Sequence, residues 1–191
     1  MKMIKINQKL EKEVEIAGVI YQVNLAFDNV IGLLELLKDT RINDGEKVYI
    51  GLQMLLGTEL ELEMDKYQLV FETLLKKFIH ETDEQDVVYD LAGNVMPAEK
   101  RPQSYDLVYD SSYIYTSFRQ AYGMNLYEEQ GKLDWREFLA LLQDLPDETK
   151  FKRVVDIRTR AYPKGKGMSE ERQKLKELKR TFALPGSQVD D

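Results

Sequence analysis

The residues of this chain best equipped for chemistry lie between positions 110 and 135. Tyr113, Tyr115, Phe118 and Tyr122 fall within the stretch DSSYIYTSFRQAYG, and Trp135, the only tryptophan, follows. Closely spaced aromatic rings can stack on nucleic-acid bases, anchor a protein partner or fill a core. Base stacking calls for exposed rings among basic groups, and Arg119 is the only cation in this stretch. In a helix, Ile114, Phe118 and Tyr122 are four apart and share one face, with Tyr115 and Ala121 beside it. That is core geometry, with tyrosine hydroxyls at the rim. A partner-binding face is the functional alternative, and Tyr113, Tyr115, Arg119 and Tyr122 are its candidates. Trp135 opens an amphipathic stretch and reads as a packing anchor, or alternatively as an interface hot spot.

Elsewhere the chemical inventory is thin. The chain has no cysteine and one histidine, His80. Thiolate sites, disulfides and paired-imidazole metal centres are therefore excluded. His80 stands near a predicted helix C-terminus, with no nucleophile or orienting acid marked beside it. Glu59, Glu61 and Glu63 alternate as a solvated acidic face would, and no calcium-loop spacing is present. Lys164-Gly165-Lys166-Gly167 is basic and hinge-like, but it lacks the spacing of a phosphate loop. With no nucleophile elbow, dinucleotide fingerprint or zincin motif, the expectation is a non-enzymatic protein without metal or cofactor.

Those residues must be positioned by a chain of 191 residues, long enough for one domain or two small ones. Apolar residues make up 43% and charged residues 32%, the composition of a chain with a real core. No signal-peptide pattern opens it and no apolar run reaches membrane-spanning length, so the expected location is cytoplasmic, away from membranes. Net charge is −7 but unevenly spread. Residues 1–100 hold 11 basic and 19 acidic residues, whereas 151–182 hold 11 basic and 4 acidic. An acidic front and a basic C-terminal segment point to self-association or an acidic partner, with a solvated basic helix as the plain alternative. Lys174, Lys176, Lys179 and Arg180 are the candidate partner-binding cations of that segment.

Periodicity predicts a mainly α fold with a small N-terminal β-hairpin (α+β), a helical bundle in two halves joined by a long linker. Val14 and Ile16, then Val19, Tyr21, Val23 and Leu25, alternate across a turn at Ala17-Gly18. Helices are expected after Asp28, from Asp44-Gly45 to Gly57, and from Asp65 with a stripe of Tyr67, Phe71, Leu74 or Leu75, and Phe78. The period fails over 82–109, which holds two of the five prolines and reads as a linker, with a short turn around Ala92-Gly93-Asn94. Beyond it, helices are expected with Asp110 or Ser111, Asp134, Asp147 and Ser169 as caps. The division is 1–81, hairpin plus helices; 82–109, linker; 110–162, aromatic-rich helices; and 163–191, a basic tail with one helix, separable at Pro163.

The stretch YDSSYIYTSFRQAYGMNLYEEQGKLDWREFLALLQDLPDETKFKRVVDIRTR closely resembles the bacteriophage gene-product-fifteen (Gp15) family, tail-region proteins of siphophages and prophages of low-GC Gram-positive bacteria. Its carriers are Tyr113-Ile114-Tyr115-x-x-Phe118, Tyr122-Gly123, Leu126, Leu133-x-Trp135-x-x-Phe138-x-x-Leu141-Leu142, Leu145, Thr149 and Ile157-Arg158. GVIYQVNLAFDNVI and LLKDTRINDGEKV extend the resemblance to roughly positions 14 to 160. The resemblance implies a tail assembly chaperone made in the bacterial host cytoplasm, with the tape-measure and tail-tube proteins as partners. A structural tail or connector component retained in the virion is the alternative. A nucleic-acid-binding accessory protein acting through 164–180 is a third, weakened by the overall negative charge.

Overall fold

In the computed structural model of the chain, residues 6–79, 104–165 and 167–187 are described. His80, Lys166, the expected turn at 92–94 and most of the expected linker lie outside them. Among the described residues the protein is mainly helical, with seven α-helices and one antiparallel two-stranded hairpin. The chain forms two compact units. One comprises residues 1–100 with 130–140, and the other 101–129 with 141–191.

The first unit opens on strands β1 (Glu13–Ile16) and β2 (Val19–Gln22), paired from Glu13↔Gln22 to Ile16↔Val19. Both turn residues are left-handed, Ala17 at φ 51° and Gly18 at φ 81°. Such a two-residue turn matches the twist of the strands it joins. Helices α1 (Phe27–Lys38), α2 (Asp44–Leu56) and α3 (Met64–Leu74) follow, and α3 runs on into a π-helical turn, Leu75–Ile79. The expected stripe is real: Phe71, Leu74, Leu75 and Phe78 are buried with Val30, Leu33, Leu52 and Leu55. Tyr67 stands at its edge, donating to the Leu60 carbonyl at 2.5 Å. At Gly51 the helices meet so closely that an added Cβ would lie 2.6 Å from the Phe71 ring and 3.0 Å from a Leu33 methyl.

Residues 130–140 complete this unit. Phe27 N–H donates to Leu133 O at 3.0 Å and Trp135 N–H to Leu25 O at 2.7 Å, around the bridge Ala26↔Asp134. Helix α5 (Trp135–Gln143) begins here. Its first turn stacks Trp135 on Phe138, and Phe138 on Phe27 with centroids 4.9 Å apart. Asp134 caps the helix by accepting from the Arg136 amide at 3.0 Å, and its carboxylate also receives the Arg136 guanidinium at 2.8 and 2.9 Å and the Lys12 ammonium at 3.2 Å. Arg136 further donates to Glu11 O at 3.0 Å. One carboxylate, 1% exposed, thus ties the segment before β1 to the start of α5.

The second unit holds α4 (Ser111–Tyr122), α6 (Lys150–Thr159) and α7 (Ser169–Thr181). Phe118, Phe151 and Val154 are buried there. Ser117 Oγ accepts the Phe151 amide at 3.0 Å, so a buried α4 hydroxyl satisfies a donor at the start of α6. Residues from Pro163 onward, expected as a separable tail, carry attachments: Leu175 is buried and Phe182 packs on Tyr113.

Several expected caps are otherwise employed. Asp28 lies inside the first turn of α1, and its Oδ1 accepts from Gly131 N–H at 2.9 Å. Helix α2, by contrast, opens at Asp44 and closes at Gly57 as expected, with Asn43 before it forming a reciprocal box with Glu46. Helix α3 starts at Met64, ahead of Asp65. Helix α6 starts three residues after Asp147, with Thr149 at the cap position, and Ser169 is the first residue of α7 with Met168 at its cap. In each case a neighbouring residue holds the boundary, because backbone geometry and not residue type alone selects it.

Two outcomes follow for the first unit. Gly51→Ala should lower stability by about 1–3 kcal/mol, since overpacking outweighs the roughly 1 kcal/mol helix-propensity gain; a chemical-denaturation midpoint at or above that of the parent would show that the Phe71 ring yields. The second concerns acid. Burial pushes the Asp134 carboxyl upward, but the Arg136 side-chain and backbone hydrogen bonds, with the nearby cations, outweigh it and hold the group below its usual value. A depressed carboxylate contributes stability above its unfolded-state pKa of about 4, lost as pH falls toward the folded value. Melts from neutral pH to pH 3 should fall off on this acid side, and Asp134→Asn, less stable at neutral pH, should show a shallower decline.

Candidate functional site

Helix α4 is pinned before it can present anything. Asp110, at its N-cap position, is fully buried and gives no side-chain cap bond. Its carboxylate instead receives both ends of the Arg158 guanidinium, at 2.6 and 2.8 Å, and the Asp106 amide at 3.0 Å. Arg158 also donates to Ser104 O at 3.1 Å and to Phe182 O at 2.6 Å. A planar guanidinium suits such a fork, because its donors point in fixed directions. The start of α4, the end of α6 and the residue after α7 therefore meet at one side chain.

With Ile114, Ser117 and Phe118 turned into the core, the flank of α4 beside Ile114 and Phe118 is only partly covered: Tyr115 is half-buried, while Arg119 and Tyr122 are exposed. Tyr115, Arg119 and Tyr122 follow one another along it at helical spacing. Tyr127, 70% exposed, lies against Tyr115 with centroids 5.2 Å apart. Arg119 donates to Gly123 O at 3.1 Å, at a left-handed C-cap of φ 66°. Tyr122 donates to Leu141 O at 2.9 Å and meets Phe118 edge-on. Burial, helped by the Asp144 carboxylate, raises its phenol above the ordinary range, so it stays a neutral donor. This face gathers tyrosine and arginine, the residue types that dominate binding hot spots.

Tyr113 belongs to a different surface. Phe182 packs edge-on against it at 6.3 Å, and the Lys150 ammonium lies 4.4 Å from the Phe182 ring and 5.6 Å from the Tyr113 ring. Nearby, Lys179 stands 4.7 Å over Tyr162. Of the basic candidates, Lys174 and Arg180 are exposed, whereas Lys176 and Lys179 are half-buried. Trp135 is 4% exposed and sits in the core of the first unit, as its packing-anchor reading requires. Within the second unit the structure thus brings Tyr115, Arg119 and Tyr122 together and places Tyr113 with Phe182 and Lys150, whereas Trp135 is buried in the first unit. Sequence reasoning missed Tyr127, which no helical period marks, and the Asp110–Arg158 pair, whose members are 48 residues apart.

Among the described residues no cluster of three histidine, cysteine or acidic side chains could hold a metal ion, and no helix is long and apolar enough to cross a membrane. The two buried carboxylates, Asp110 and Asp134, are each engaged by an arginine and hidden from solvent. What this geometry offers is a partly exposed surface of tyrosines and one arginine on a helix anchored through Asp110.

A family model described as Bacteriophage Gp15 protein matches residues 6–184 of the chain. No curated protein and no solved structure matches it.

The support beneath the α4 face can be tested directly. Arg158→Ala should cost about 3–5 kcal/mol, because it strands a buried carboxylate. Arg158→Lys should recover only part of this, since an ammonium cannot reproduce the planar fork. Denaturant titration of both variants checks the order. Equal stability of the lysine variant and the parent would mean that charge alone, without the fork, holds α4.

Proposed function

The chain belongs to the bacteriophage Gp15 family, and on that premise we propose that it is a tail assembly chaperone, a non-enzymatic protein that holds the tape-measure and tail-tube proteins during morphogenesis in the host cytoplasm. As a member of the family it is a phage structural or morphogenesis protein. The observation that carries the finer reading is the partly exposed flank of α4. Half-buried Tyr115 and exposed Tyr127, the latter from the turn after α4, form an aromatic pair beside Arg119, on a helix anchored at its start through Asp110. Amphipathic aromatic rings with few rotatable bonds bind protein segments at low entropic cost. An assembly chaperone needs such a face, because its clients are chains not yet incorporated.

The test is co-expression with the tape-measure and tail-tube proteins of the same phage, followed by affinity capture and mass spectrometry of purified particles. The chaperone reading expects capture of at least one of the two and absence from finished particles. Stoichiometric presence in the particle would establish the structural or connector role instead. Tyr127→Ala, at an exposed ring, should leave the melting temperature unchanged and weaken capture by about 1–2 kcal/mol, in the range of an interface aromatic. Undiminished capture would place the client elsewhere.

A further inference from the structure

The hairpin of the first unit is a sheet of two strands, so each strand has an outer edge. In an antiparallel pair, alternate residues turn their N–H and C=O toward the partner strand and the others turn them away. Val23 N–H donates to Lys12 O at 2.6 Å, and that bond fixes the phase. In the observed register, Val14 with Tyr21 and Ile16 with Val19 then bond inward. The backbone groups of Glu13 and Glu15 face out along β1, and those of Ile20 and Gln22 face out along β2.

The two edges differ. On β1, Glu13 and Glu15 are charged and exposed, and Lys77, paired with Glu11 at 2.6 Å, donates to Glu13 O at 3.5 Å. Charged side chains, lysine above all, are the usual means of keeping a sheet edge from pairing. Strand β2 reads Val19-Ile20-Tyr21-Gln22, with no charge, no proline and no bulge. Ile20 is 67% exposed, and Val19 and Gln22 are exposed beside it. Among the described residues no group pairs with the outward N–H and C=O of Ile20 and Gln22.

That edge is self-complementary. Set antiparallel to a second β2 about a two-fold axis at Tyr21, Ile20 opposes the second copy's Gln22, and Gln22 its Ile20. Every outward N–H and C=O of both strands then finds a partner. No charge meets a like charge. The same operation on β1 would set Glu13 opposite Glu15, a destabilising pair.

We infer that the outer edge of β2 is a self-association site, where a second copy of this chain adds its own β2 antiparallel about Tyr21 and makes one sheet in the order β1-β2-β2-β1. An isologous contact closes on itself, so assembly through it stops at a dimer. The guarded β1 strands become the rims of the joined sheet and resist further addition. Residues 1–100 hold 11 basic and 19 acidic residues, so two copies repel at a distance and the pairing tightens as salt screens them. This goes beyond the chaperone reading and does not depend on it.

Sedimentation equilibrium on the full chain should show a reversible monomer–dimer exchange that tightens with salt. Ile20→Pro removes an N–H that the hairpin does not use, a change edge strands tolerate. It should leave the melting temperature unchanged and weaken the dimer by about thirtyfold, the worth of two net hydrogen bonds. Cross-linking reads the register independently of that variant, because the chain has no cysteine of its own. Tyr21→Cys sets two thiols opposite each other with Cα atoms about 4.5 Å apart, within disulfide reach, and should oxidise to a covalent dimer. Ile20→Cys is more exposed, but its two copies stand diagonally, about 7–8 Å apart, and it should cross-link poorly. A parent chain monomeric up to about 1 mM overturns self-pairing, as does an Ile20→Pro dimer as tight as the parent's. A dimer that loosens with salt, or faster cross-linking by Ile20→Cys than by Tyr21→Cys, overturns it equally.

Discussion

A carboxylate taken out of water must recover its hydrogen bonds from the protein, and in each unit one arginine returns them. Asp134 receives Arg136 and Lys12, and Asp110 receives Arg158. Each arginine then reaches further, Arg136 to the Glu11 carbonyl and Arg158 to those of Ser104 and Phe182. A buried pair of this kind adds little net stability over an apolar substitute, but removing one partner is severe. Its value here is geometric, because both carboxylates stand at helix starts. The apolar residues of α4 and α5 determine which face goes inward, while the ion pairs determine where each helix begins and what joins it.

That division of labour explains what could be read in advance. Trp135, Phe138 and Leu142 recur at helical spacing and are buried, as are Ile114 and Phe118. The alternation around Ala17-Gly18 marks the hairpin directly. Hydrophobic burial is local in its sequence signature, so periodicity exposes it. The polar side chains are not legible in the same way. An aspartate before an apolar run looks like a cap, yet Asp28 reaches Gly131 and Asp110 reaches Arg158. A short acidic side chain can satisfy a helix end or a distant donor, and only the folded chain decides which. The candidate site was half visible: Tyr115, Arg119 and Tyr122 follow a helical period, whereas Tyr127 comes from the turn that follows.

The arrangement is compatible with the binding role proposed above. Its buried carboxylates are committed to structure, and Arg119 and Tyr122 stand exposed on a helix anchored at its start. A rigid aromatic face gives up little conformational entropy when it binds.

The first unit is not contiguous along the chain: its hairpin and first helices wait for residues 130–140, which supply the backbone partners of Leu25 and Phe27 and the ring that stacks on Phe27. A ribosome adds about 5–20 residues per second, so roughly 2–8 seconds pass between residue 100 and residue 140. During that interval the nascent chain carries an unpaired Phe27 amide, an unpaired Leu25 carbonyl and an uncovered phenylalanine ring. The second unit begins to be made inside the gap, before the first can close. Order of synthesis and order of folding are therefore interleaved, and a translational pause ahead of residue 130 would prolong the exposure of the unfinished unit.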